Sequence, residues 1–97
     1  MNKWEPDNNP HQARRIGKTL EELGELSAVL ARISIQGLDA IDPGSGKTNR
    51  QRLHEETADV QAQLFLNVEF FKMDDFDLGK RTGEKFKQML DWEVHFK

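Results

Sequence analysis

The chain has 97 residues, a net charge of -3, 32% charged and 36% hydrophobic residues, and no cysteine. That length bounds it to one domain with a modest core of its own, so association with further copies is expected from the outset. The acidic balance speaks against a nucleic-acid binder, the missing cysteine excludes disulfides and thiolate metal sites, and no run approaches the roughly 18 apolar residues of a membrane span.

In chain order, a polar lead containing Pro6 and Pro10 comes first, with Asn9 placed to cap the first helix. The opening MNKWEPDNNPHQARR has no apolar stretch of the kind a secretory signal needs, and a cytoplasmic location is the expectation. The segment HQARRIGKTLEELGELSAVLARISIQ carries Ile16, Leu20, Leu23, Leu26, Leu30 and Ile33 at helical spacing, with Gly37 as its stop signal. Residues 37–48, with Pro43, Gly44 and Gly46 as breakers, read as a loop. A second helix is predicted from Asn49 to Lys72, capped by Thr48 or Asn49, with Leu53, Val60, Leu64, Val68 and Phe71 as its stripe. The connection MDDFD offers Asp75 or Asp77 as the cap of a third helix, predicted from Leu78 to Phe96 with Phe86, Leu90 and Val94 on one side. Ala58, Ala62 and Phe65 give the second helix a further apolar side, for which a partner copy is the natural cover. The fold expectation is therefore all-α, with residues 1–97 as one domain: a helical hairpin plus a third helix, completing a four-helix-type bundle by oligomerisation.

The acids carry the chemistry. At about 100° per residue, Glu22 falls inside the apolar arc of the first helix, Glu25 at its border, and Glu21 further round. On the second helix Glu56 and Asp59 lie inside the arc, and Glu55 is left on the solvated side. Any one of these alone reads as an ordinary surface glutamate. Together, in an antiparallel hairpin that brings EELGE and EETAD level, they place several carboxylates where water is scarce. Such a group without a partner costs several kcal/mol and neutralises instead, so several together call for a cation. Oxygen-only ligands favour a hard ion, Mg²⁺ or Mn²⁺, with open positions left for phosphate oxygens and water.

The pattern Glu-Glu-x-x-Glu in EELGE (Glu21, Glu22, Glu25), followed by Glu-x-x-Asp in ETAD (Glu56 to Asp59), resembles the MazG-like all-α nucleoside triphosphate pyrophosphohydrolases. The surrounding IQGLDAIDPGSGKTNRQRLHEETADVQAQL is similar to small phage-type members, and the resemblance runs from about Ile16 to Trp92. It implies hydrolysis of (deoxy)nucleoside triphosphates to the monophosphate and pyrophosphate, with Mg²⁺ held by Glu22, Glu25, Glu56 and Asp59. It further implies a homodimer or homotetramer. Glu22 and Glu21 are then the catalytic acids, Glu21 ligating a further ion or orienting the attacking water. About thirty residues separate the two half-motifs, at the long end of the family's spacing.

Further candidates are placed by the wheel and the loop. Gln63 and Asn67 extend the polar line from Glu56, either to hydrogen-bond a base or sugar or as a satisfied polar pair between helices. Lys47 and Arg50, from the loop and the start of the second helix, are candidates to touch the nucleotide. Arg81 and Lys85, with Lys80, either neutralise phosphates or form a solvated basic face, and Trp92 either stacks on a base or packs.

Three other readings compete. GSGKT imitates the end of a P-loop, but Ile41 stands where the first glycine belongs and a helix precedes it in place of a buried strand. A di-iron bundle needs Glu-x-x-His pairs, and Asn8, Gln51 and Trp92 stand three residues before His11, His54 and His95. The non-enzymatic alternative is a helical nucleotide- or protein-binding module that retains the acidic metal site.

Overall fold

The computed structural model describes residues 5, 6 and 8–96; residues 1–4, 7 and 97 of the chain lie outside them. Three helices occur in order, α1 (Pro10–Gln36), α2 (Asn49–Phe70) and α3 (Asp75–Phe96). The described residues hold no strand, only an isolated antiparallel bridge between Ile41 and Thr48. No helix among them is long and apolar enough to cross a membrane. The chain divides into two compact units, Met1–Leu66 and Asn67–Lys97.

In the first unit α1 begins as its sequence demands. Asn9 Oδ1 accepts from the backbone N–H groups of His11 and Gln12, both at 3.1 Å, and Pro10 occupies a first-turn position whose N–H would be unpaired anyway. Gly37 ends the helix at φ +86°, donating its N–H to the Ile33 carbonyl at 2.8 Å. Thr48 caps α2 reciprocally: its hydroxyl accepts from the Gln51 N–H at 3.1 Å, while its own N–H donates to Gln51 Oε1 at 2.9 Å. The Thr-x-x-Gln spacing that makes this capping box decides between Thr48 and Asn49. Asn49 instead closes the base of the loop. It is fully buried, and its Nδ2 donates to the Gly37 carbonyl at 2.9 Å, as its backbone N–H does to Ala40 at 2.9 Å.

Pairs that sum to nearly constant sequence number, Glu22 near Asp59 and Glu25 near Glu56, show that α1 and α2 run antiparallel. The seam runs along one edge of the predicted apolar arc. The buried and half-buried positions on α1 are Gln12, Arg15, Thr19, Glu22, Leu26, Val29 and Ile33, and on α2 they include Asn49, Arg52, Leu53, Glu56, Val60 and Gln63. Both runs repeat every three or four residues, the spacing that lets two helices interdigitate along one line. Ile16, Leu20, Leu23 and Leu30 are 42–62% exposed. Leu26 and Ile33 of the predicted α1 stripe and Leu53 and Val60 of the α2 stripe thus lie in the seam, the other α1 stripe residues lie beside it, and Val29 and Val60 are the buried hydrophobic side chains among the described residues.

In the second unit the end of α2 corrects the expected boundary at Lys72. Lys72 adopts φ +53°, its N–H donates to Glu69 at 3.3 Å, and the Met73 N–H donates to Val68 at 3.0 Å. This is a Schellman termination with lysine in the left-handed position that glycine usually fills. α3 starts three residues earlier than predicted, because the cap is Asp74 and not Asp75 or Asp77. Asp74 Oδ1 accepts from the Asp77 N–H at 2.9 Å, and its carbonyl accepts from Leu78 at 2.9 Å. Asp75 and Asp77 sit in the first turn, where the helix dipole favours negative charge. All of α3 except Leu78 is exposed, including Phe76, Phe86, Leu90, Trp92, Val94 and Phe96.

Candidate metal centre

The seam positions the acids. Glu22 on α1 and Glu56 and Asp59 on α2 each offer a carboxylate oxygen, and the three oxygens lie within 4.8 Å of one another. Two oxygens bound to one Mg²⁺ stand about 3 Å apart in adjacent positions and about 4 Å apart in opposite ones, given bonds of roughly 2.1 Å. The trio is therefore within a small side-chain adjustment of one ion's coordination sphere.

Their surroundings are those of acids with too little counter-charge: Arg52 is the one cation that pairs with the trio among the described residues. Glu56 is 3% exposed; Arg52, one turn before it, donates Nη2 to its Oε1 at 3.1 Å. Its Oε2 is buried with no hydrogen-bond partner, and so is Oε2 of Glu22. Desolvation first, then the charges of Glu25, Asp59 and Glu21, push the Glu22 carboxyl above its ordinary value. Burial and the Glu25 charge raise Glu56 likewise, with Arg52 opposing. Glu25 lies beside both, and its negative charge acts on each of them in the same direction as burial. Orphaned buried oxygens on hard-ligand residues fit a divalent cation.

The other residues singled out from the sequence fall in different places. Glu21 is exposed and pairs with Lys18 at 3.3 Å, outside the trio. Glu25 is on the exposed edge of the cluster, and so is Asp59, which the wheel places inside the apolar arc. Gln63 lies further along the α2 seam with a buried, unpartnered Oε1, and Asn67 is half-buried on the same line. Lys47 is held by Glu55 at 2.8 Å, and Arg50 by Asp39 at 3.3 Å. Both border a shallow depression shared with Gln51, His54 and Glu55, on the side of α2 away from Glu56. Arg81 and Lys85 are exposed on α3.

The loop makes no phosphate cradle. Gly46, at φ +74°, donates its N–H to the Asp42 carbonyl at 2.8 Å, and the Lys47 N–H donates to Ser45 Oγ at 3.3 Å. These amides are spent inside the turn. Asp42 organises it by accepting from Ser45 Oγ at 2.7 Å and from Arg32 Nη1 at 3.0 Å, contacts that hold its carboxyl below the usual range.

Sequence reasoning missed the basic half of this region. Arg32, Arg52 and Asp42 line a cavity of about 160 Å³ together with Glu25, Asn49, Val29 and Ala28. Arg52 falls on the same arc as Glu56, four residues before it, so a wheel drawn for cations as well as acids would have found it.

No family model, curated protein or solved structure matches this chain. Fold and site alone define the class: an all-α protein whose helical hairpin carries a carboxylate cluster able to hold a metal ion.

Proposed function

We propose that the chain is a subunit of a divalent-cation-dependent nucleoside triphosphate pyrophosphohydrolase, releasing monophosphate and pyrophosphate from (deoxy)nucleoside triphosphates. The observation that carries the reading is the convergence of Glu22, Glu56 and Asp59 within 4.8 Å, with buried orphan oxygens on the two glutamates. The nucleotide part rests on the resemblance of EELGE and ETAD to the MazG-like pattern.

Bound Mg²⁺, or Mn²⁺, supplies neutralisation of phosphate oxygens and a water of lowered pKa. The chain's own residues do the rest. Glu22, Glu56 and Asp59 present oxygens from two rigid helices, and Glu25 closes the edge of the set. Glu21, one residue from Glu22 and paired with Lys18, is the carboxylate that orients the attacking water once it leaves that lysine. No covalent nucleophile is needed.

The active assembly in this reading is a homodimer or homotetramer in which hairpins pair into a four-helix bundle. The support is energetic. Two buried hydrophobic side chains among the described residues make a poor core, while each exposed leucine or phenylalanine that becomes covered contributes about 1.5–3 kcal/mol.

The test is pyrophosphate release from a panel of dNTPs with Mg²⁺ present and chelated. Metal-dependent pyrophosphate from at least one nucleotide is the expected result. Orthophosphate as the product, or no turnover on any nucleotide, overturns it.

A further inference from the structure

The cavity of about 160 Å³ on the loop side of the acid cluster is lined by Arg32 from α1 and Arg52 from α2, with Glu25 forming the border toward the cluster. It is too small for a nucleotide, since small-molecule pockets start at roughly 300 Å³. At about 30 Å³ per water, it corresponds to about five waters, room for one or two phosphate groups. Val29 and Ala28 form its apolar floor. Arg32 reaches Asp42 through Nη1 and Arg52 reaches Glu56 through Nη2. A guanidinium has five N–H donors, so each keeps donors beyond those contacts.

The formal charges set a condition on what enters. Glu22, Glu25, Glu56, Asp59 and Asp42 contribute five negative charges against two from Arg32 and Arg52, leaving three negative. An anion is repelled from such a pocket until the cluster is neutralised, and each divalent cation adds two positive charges.

We infer that this cavity is a pyrophosphate pocket that takes its anion only after the acid cluster is loaded with a divalent cation, and that Arg32 is the residue dedicated to it. The inference rests on the metal-centre reading above and deepens it by giving the substrate a direction: the leaving phosphates lie toward the 37–48 loop, and the nucleoside lies away from it.

The probe is inorganic pyrophosphate, titrated calorimetrically into the full chain at constant saturating free Mg²⁺ and again with Mg²⁺ chelated. Wild type binds only with Mg²⁺. Arg32→Gln weakens binding by about tenfold or more, the loss of a charge-assisted contact. Asp42→Asn breaks the Arg32 ion pair but keeps the guanidinium, and so binds as tightly as wild type or tighter. Mg²⁺ affinity, measured separately, is unchanged in both variants. Equal affinity with and without Mg²⁺ overturns the inference, as does no binding by wild type or Arg32→Gln within about twofold of it. Loss in Asp42→Asn as large as in Arg32→Gln also overturns it, because Arg32 would then act only by holding the loop. Pyrophosphate bound as expected by a protein that turns over no dNTP would sink the hydrolase reading and leave the pocket standing.

Discussion

The α1–α2 seam and the stripe beside it on α1 invert the usual distribution of polarity. The seam buries Glu56, Asn49 and Thr19, while Leu20, Leu23 and Leu30 on the neighbouring face of the same helix stay exposed. Helices that pair only for stability put leucines in the seam and acids outside. Here the pair surrenders its seam to carboxylates, and its stability must come from somewhere else. The difference teaches that the hairpin carries two unusual faces: a seam with a carboxylate cluster that could hold a cation, and beside it an apolar stripe left exposed.

The largest expected effect breaks the seam's side of that comparison. Asp59→Asn or Glu22→Gln should lower pyrophosphate release by about 10²- to 10³-fold, as loss of metal charge stabilisation does. Wild type should gain in melting temperature on adding Mg²⁺ by mass action, and either substitution should abolish that gain. An undiminished Mg²⁺-induced rise in Asp59→Asn would count against the trio as the site.

Next comes the stripe. Leu23→Asp should cost about 2–3 kcal/mol if the stripe is covered in the assembly, and should shift the sedimentation profile toward monomer. If the leucine is bare in the functional protein, the same change is nearly neutral.

The pH dependence sharpens the comparison further. Glu22 and Glu56 are raised above the ordinary value of 4.5, so the folded state binds protons more tightly than the unfolded chain. The stability they contribute is complete below pH 4.5 and is lost as pH rises through the raised values. Melting of metal-free protein should fall across that window, and Glu56→Gln or added Mg²⁺ should flatten the slope. Asp42 and Glu55 are lowered, by Ser45 and by Lys47, so their contribution has the opposite sign and is lost as pH falls below the ordinary range.

The smallest effects belong to the helix ends. Thr48→Ala should destabilise by about 1 kcal/mol through loss of the reciprocal cap. Lys72→Gly should stabilise by about 0.5–1 kcal/mol, because glycine adopts the left-handed conformation without the strain a lysine carries. Chemical denaturation resolves both.

Much of this was legible from local rules. Asn9, Pro10 and Gly37 bracket α1 because caps and stops act within a few residues. The Thr48–Gln51 box was equally legible in TNRQ, and Asp74 was passed over because three aspartates compete in MDDFD. Lys72 was misplaced because lysine gives no sign of a left-handed residue; the helix ends there by geometry. At the site, Glu22, Glu56 and Asp59 could be grouped because helical periodicity fixes direction. The outward pairing of Lys47 with Glu55 and of Arg50 with Asp39 could not be read, since both depend on how the loop turns back.

The sequence by itself determined three helices, their polarity patterns and the two acidic half-motifs, all consequences of a 3.6-residue period and short-range hydrogen bonds. Only the tertiary structure decided which arc of α1 faces α2, and with it that Arg52 and Arg32 join the acids. Two helices choose their seam by how side chains interdigitate along the full length of contact, and that choice depends on both partners at once.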